Sequence, residues 1–287
     1  MTARHAYCIM VHNEPLLLKQ LLRVLDDGRN DVFVHVDAKA DRRQFDGLTC
    51  EKAGLYWTPR VAVYWGDMSF AVAELTLLKN ALAHGDYDYI HLLSGVDLPL
   101  KSQGEIQRFF AEHAGEEFVD FSLDERNRRS AFERAQRYYF FVRALKVRNG
   151  KLRRIFKAIM EGLVALQVLL HIRRNRFVVF YKGSNWISIT GDCAKWLTAQ
   201  ESRIRKLFHH TLCCDELFVQ TLLMASPFAQ RISPLGNLRK IDWSRGDPYT
   251  WQNGDFEELV KSSGCLFARK FSSWQIELVK QIAELAT

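Results

Sequence analysis

The chain has 287 residues, 48% of them hydrophobic and 25% charged, enough to bury a sizeable core and too apolar for a disordered polypeptide. Its six cysteines, Cys8, Cys50, Cys193, Cys213, Cys214 and Cys265, are scattered with no C-x-x-C pair. That excludes a zinc ribbon or a disulfide framework and reads as reduced thiols in a cytosolic protein. The net charge is +7, yet fifteen Lys/Arg against two Asp/Glu fall between Arg126 and Arg176, so the remainder of the chain is net −6.

Met1 to His5 runs directly into an apolar stretch, with neither a basic n-region nor a long h-region, which argues against a signal peptide. No apolar run reaches the ~20 residues of a membrane span. Ala6 to Val11 reads as a buried first strand, and Pro15 opens an amphipathic helix to about Leu25. Val32 to Val36 is a second strand, ending on Asp37. A helix over Ser69 to His84 and a strand over Tyr89 to Leu93 follow, then a turn from Ser94 to Pro99. Ser102 and Glu105 form a capping box for a helix to about His113, and Glu117 to Phe121 reads as a strand. A long helix is expected from Lys151 to about Ile172, then strands over Phe177 to Tyr181 and Trp186 to Thr190. Further helices are expected near Asp192 to Ala199, Asp215 to Ala225, Phe256 to Ser262 and Ser273 to Leu285.

The alternation predicts an α/β fold with a mostly parallel sheet. No linker divides the chain, so residues 1–287 read as one domain in which 126–176 is a basic, helical, insert-like segment. Open α/β sheets bind ligands at the carboxyl ends of their strands. The polar residues there are Asn13, Asp37, Ser94 and Asp97, which predicts a nucleotide pocket in the N-terminal half.

Five stretches carry more specific information. They are H-V-D at 35–37, W-G-D-M-S at 65–69, L-L-S-G-V-D-L-P-L at 92–100, K-G-S-N-W at 182–186 with D-E-L-F-V-Q-T-L-L at 215–223, and L-R-K-I-D-W at 238–243 with F-A-R-K-F at 267–271. Together they resemble the core-2/I-branching β-1,6-N-acetylglucosaminyltransferase and peptide O-xylosyltransferase family, glycosyltransferase family 14. The chain looks like a compact bacterial member without the eukaryotic family's membrane anchor and luminal disulfides. The resemblance implies a GT-A-like fold, a UDP-sugar donor (GlcNAc or xylose), inversion at the anomeric carbon and no metal requirement.

Inverting transfer needs a base for the acceptor hydroxyl and positive charge for the departing UDP. The base candidate is Glu216, with Asp215 beside it as a good N-cap for a helix starting there. Acids opening a helix are as often mere caps; the family's D-E-x-x-F stretch, where the Glu is the base, favours Glu216. Asp86-Tyr87-Asp88 mimics a metal-binding D-x-D but precedes the Tyr89 strand, so it belongs at the wrong edge of the sheet. Only Asp97 is acidic at the right edge, a poor Mg²⁺ or Mn²⁺ site. The resemblance assigns the diphosphate to Arg269 and Lys270 instead; an exposed strand face would explain only one of two adjacent cations. Arg239 is a further cation, or a partner of Asp242. Asp37 is placed for uracil or ribose, Val11 and His12 for the floor beneath it, and Ser94 and Asp97 for the donor. Trp65, Trp186 and Trp243 are candidates to stack on sugars, Trp186 foremost.

The basic segment admits a solvated face, nucleic-acid binding or peripheral attachment to an anionic membrane. No nucleic-acid motif is present. Leu152, Ile155, Phe156, Ile159, Met160, Leu163 and Val164 have helical spacing beside Arg153, Arg154 and Lys157, the pattern of an interfacial helix and equally of a core helix with a basic rim. A cytosolic enzyme building surface polysaccharide on a glycan or lipid-linked acceptor favours the membrane. The competing functional class is a non-catalytic carbohydrate- or nucleotide-binding module on a decayed transferase.

Overall fold

The computed structural model describes residues 3–147, 149–262 and 264–287; Arg148, inside the basic segment, lies outside them, as do Met1 and Thr2. In chain order the elements are β1 (His5–Val11), α1 (Pro15–Leu25), β2 (Asn30–Val36), β3 (Gly54–Trp57), α2 (Ser69–His84), β4 (Tyr89–Ser94), β5 (Asp97–Pro99) and α3 (Gln103–Glu112). There follow α4 (Glu125–Gln136), α5 (Gly150–Leu169), β6 (Ser188–Thr190), α6 (Gly191–Ala199), α7 (Glu201–Phe208), α8 (Phe218–Met224), β7 (Arg239–Ile241), α9 (Phe256–Val260), β8 (Phe267–Arg269) and α10 (Ile276–Leu285).

The central sheet has the order β3-β2-β1-β4-β6, parallel except for β6. β1, β2 and β4 are buried at every residue because helices cover both faces. Ala6, Cys8 and Met10 pack toward α2, α6 and α8; Tyr7, Ile9 and Val11 pack toward α1, α3 and α10. This mixed α/β architecture, a mostly parallel sheet flanked by helices, is that of a GT-A-like glycosyltransferase fold. A second sheet, β5-β8-β7, joins the turn after β4 to the last strand of the chain. Its register sets Asp97 directly opposite Arg269.

Several expectations are corrected. Ser94 to Pro99 is not all turn, since Asp97–Pro99 pairs with β8. Glu117 and Phe118 make only isolated bridges, to Ile232 and Ser188, because β6 is too short to extend the pairing. Residues 177–181 form no strand: Val178 to Tyr181 line a groove instead of a sheet face, and Phe177 is fully exposed. The expected helix at 215–225 divides into a 3₁₀ turn over Cys214–Glu216 and α8.

The periodicity of α5 does not report a core position. The helix packs chiefly on the 3₁₀ turn Val142–Lys146, and Gln167 is its only buried residue. Ile155, Ile159, Leu166 and Leu169 are 54%, 44%, 48% and 74% exposed, so this is not a core helix. Among the described residues no helix is long and apolar enough to cross a membrane.

Candidate active site

The sheet reverses its winding between β1 and β4, and the crevice at such a switch point is where open α/β sheets take ligands. A cavity of about 130 Å³ lies there. Val11, His12 and Asn13 at the end of β1, His35 and Asp37 at the end of β2, and Ser94 at the end of β4 line it. The Asp37 carboxylate accepts from the Lys39 backbone N–H at 2.8 Å and meets the Lys39 ammonium at 3.0 Å. His35 Nε2 accepts the Val61 N–H at 2.9 Å, and burial pulls its pKa down, keeping the ring neutral.

This crevice shares Phe70, Trp186 and Arg269 with a larger cavity of about 830 Å³, which brings together Glu216, Asp215, Lys182, Trp243, Arg239 and Lys270. Arg134 donates to Glu216 Oε2 at 2.7 Å, and Lys182 approaches the same oxygen at 3.7 Å. Both cations meet Oε2, and no described residue bonds Oε1. Lys182 is held in turn by Asn127 Oδ1 at 2.8 Å.

The K-G-S-N-W motif has a steric and polar logic. Gly183 sits so close to the Asp120 carbonyl that any Cβ would collide with it, while its N–H donates to the Glu216 carbonyl at 3.0 Å. Ser184 accepts through its carbonyl from Gln220 at 2.7 Å, and Asn185 donates to Glu74 at 3.1 Å. In W-G-D-M-S, the Gly66 carbonyl accepts the Cys213 N–H at 2.9 Å, tying that loop to the D-E turn, and Gly66 takes a positive φ that favours glycine. Asp67 in the same loop accepts the Ser69 N–H at 2.9 Å and pairs with Arg143 at 3.0 Å.

Asp215 does not behave as an N-cap. The N-cap of α8 is Leu217, and Asp215 Oδ1 is shielded from solvent with no hydrogen-bond partner, although the residue as a whole is only half-buried. Loss of hydration outweighs any helix-end field, and with the adjacent Glu216 charge it pushes the Asp215 pKa up to about 7. Glu74, fully buried on α2, is raised well above the carboxylate range by burial and by Asp215. An acid whose folded pKa exceeds its unfolded one binds more protons when folded, so stability declines as pH rises between the two values and then levels off. For Asp215 that window runs from about 3.8 to about 7. Asp215→Asn is therefore expected to raise the melting temperature above pH 7 and to change it least below pH 4, a contrast that thermal unfolding across pH reads directly.

Asp97, 1% exposed, lines neither cavity. Its Oδ2 accepts the Ser94 N–H at 2.8 Å and its Oδ1 pairs with Arg269 at 2.9 Å, so it orients the Arg269 guanidinium from below the cavities. Arg269 also donates to the Ser94 hydroxyl and lies over the Trp186 ring at 4.5 Å. One face of Trp186 is thus taken by a guanidinium, whereas Trp243 and Trp65, each 63% exposed, also line the larger cavity. β8 stops at Arg269, so strand alternation does not carry on to Lys270, and both side chains reach the larger cavity. Arg239 is buried and engaged with Ser188 Oγ and the Asn237, Leu92 and Ile187 carbonyls. Burial draws its pKa down to about 9. Asp242 pairs with Arg245, not with Arg239.

Asp86 pairs with Lys195 and Asp88 accepts the Arg4 N–H, both before β4 and at the edge opposite the crevice. Arg134 and Glu74 belong to none of the five motif stretches. Arg134 was hidden among the charges of the basic segment, whereas Glu74 left a signal: a lone carboxylate in the apolar run A-V-A-E-L.

A family model described as Core-2/I-Branching enzyme matches residues 5–262. A stretch of 110 residues is 28% identical to the probable beta-1,3-galactosyl-O-glycosyl-glycoprotein beta-1,6-N-acetylglucosaminyltransferase 7 of Sus scrofa. That match covers 36% of this chain and 25% of the relative, so the chain spans about a quarter of that relative's length. The chain belongs to the Core-2/I-branching enzyme family of glycosyltransferases.

Proposed function

We propose that this protein moves a sugar, GlcNAc or xylose, from a UDP-sugar to a hydroxyl of a glycan or lipid-linked acceptor, with inversion and without a metal. The observation that carries the reading is the shared cavity: Glu216 and the Arg269–Lys270 pair line one space that opens off the switch-point crevice. The nucleoside lies against Val11, His12 and Asp37. In the single displacement, the acceptor oxygen bonds to the anomeric carbon as the bond to UDP breaks. The proton passes to Glu216, and the electron pair leaves on the diphosphate, which Arg269 and Lys270 stabilise. GlcNAc has the support of the Sus scrofa relative's description. Thermal shift in EDTA tests donor binding: UDP and one UDP-sugar raise the melting temperature, since a ligand bound only by the folded state stabilises it. No shift with any of them contradicts the reading. UDP-sugar that binds but never turns over, across a panel of acceptors, favours a binding module.

We further infer that the protein works at the cytoplasmic face of an anionic membrane in surface polysaccharide synthesis, with α5 as the contact. Its apolar side chains are exposed beside Arg153, Arg154 and Lys157. Each basic residue near such a surface contributes about 1 kcal/mol, screened beyond a Debye length of ~8–10 Å. Co-sedimentation with phosphatidylglycerol vesicles and release at high salt are expected. Replacing the three cations with Glu abolishes binding, and Ile159→Asp weakens it without lowering the melting temperature. Indifference of the wild-type protein to vesicles contradicts the inference.

A further inference from the structure

A third cavity, of about 430 Å³, lies against the catalytic one and shares Ser122 and Lys182 with it. Its volume falls in the ~300–1,000 Å³ range of small-molecule sites. Arg128, Phe132 and Gln136, four residues apart on α4, form one wall. The opposite wall is the irregular segment 178–182, with Leu123 at the side. Apolar side chains dominate this lining, yet Leu123, Phe132 and Val179 are 51%, 40% and 69% exposed. Contiguous exposed apolar surface of this kind marks a binding groove.

The two ends of the groove differ in chemistry. At one end Lys182 stands between groove and catalytic cavity, 3.7 Å from Glu216. At the other, Arg173 lies over the Phe132 ring at 5.4 Å, and the Arg174 N–H donates to the Gln136 carbonyl at 3.0 Å. This anchors the chain that descends from α5 and continues into the fully exposed Phe177. The apolar groove therefore has Lys182 at its catalytic end, beside Glu216, and Arg173 at its outer end.

We propose that this groove is an acceptor subsite for the hydrocarbon tail of a phosphate-bearing lipid, with Arg128 and Lys182 receiving the phosphate between tail and glycan. The proposal deepens, and rests on, the reading of the site as a transferase. Apolar walls suit hydrocarbon, the cations at the catalytic end complement a phosphate, and the chain leading out of the basic amphipathic helix α5 passes the outer end. The acceptor sugar then follows the phosphate into the catalytic cavity toward Glu216.

Calorimetric titration of the full chain with n-dodecyl phosphate, below its micelle concentration, tests this against inorganic phosphate. The expected result is one saturable site, at least tenfold tighter for dodecyl phosphate. Phe132→Asp and Val179→Asp, both at partly exposed positions, are expected to weaken it at least tenfold with unchanged melting temperature and UDP binding. Equal affinity for the two phosphates, non-saturable uptake, or dodecyl phosphate binding untouched by both variants overturns the proposal. Displacement of the alkyl phosphate by a neutral Leu/Phe-rich peptide of higher affinity also overturns it, in favour of a protein acceptor. A wild-type protein that binds dodecyl phosphate in this way but not UDP overturns the donor reading while supporting the groove.

Discussion

Glu216→Gln is expected to lower sugar transfer by about 10²–10⁴-fold, the range for loss of a general base, while UDP binding is retained. The substitution keeps the shape of the side chain and removes its capacity to accept a proton. Arg134 and Lys182 both meet Oε2 of Glu216, so an amide oxygen there can still accept from Arg134 and hold much the same pose, but the negative charge facing both cations is lost. Asp215 is the control. Its shielded, unpartnered Oδ1 sits beside Glu216, and Asp215→Asn is expected to retain most of the activity. Transfer assays on the two variants settle the assignment: full turnover by Glu216→Gln with an inactive Asp215→Asn would move the base to Asp215.

Lys270→Ala is expected to reduce kcat by about 10²–10³-fold, comparable to the loss of one pre-organised donor to a developing negative charge. The side chain of Lys270 has no hydrogen bond or ion pair to any described residue, so its removal leaves the fold intact. Arg269→Ala is a less clean experiment. Asp97, 1% exposed, would keep its Ser94 contacts but lose its counter-charge, and breaking a buried pair from one side costs about 3–5 kcal/mol. Lys270→Arg restores the charge and is expected to recover part of the rate. A Lys270→Ala enzyme with unaltered kcat would remove Lys270 from the leaving-group site.

The order of these elements was legible because apolar runs with helical or strand period report burial directly. The bounds of α1 and α2 and the capping box at Ser102 all follow from residues nearby in the chain. What was not legible depended on partners far away in sequence. β5, β7 and β8 are three residues each, too short to carry a period, and exist because 97–99, 239–241 and 267–269 meet in space. The 177–181 run is apolar like a strand, yet Val178 to Tyr181 line a groove, a distinction that local pattern does not encode. Within the site, the motifs located Glu216, Arg269 and Lys270, but the pairing of Glu216 with Arg134 spans 82 residues and lay inside a charge run with a plainer reading. Asp215 shows the converse error: a residue type favoured at N-caps was buried by its neighbours, and desolvation reversed the expected direction of its pKa.

A single, metal-independent displacement in the cavity lined by Glu216, Arg269 and Lys270 would invert the anomeric centre and need no added ion. The most direct test is NMR of the first product formed from an α-linked UDP-sugar in EDTA. UDP release with transfer to a β-linked glycoside is expected, at a rate that added Mn²⁺ or Mg²⁺ leaves unchanged. An α-linked product, or turnover only when the metal is restored, would contradict it.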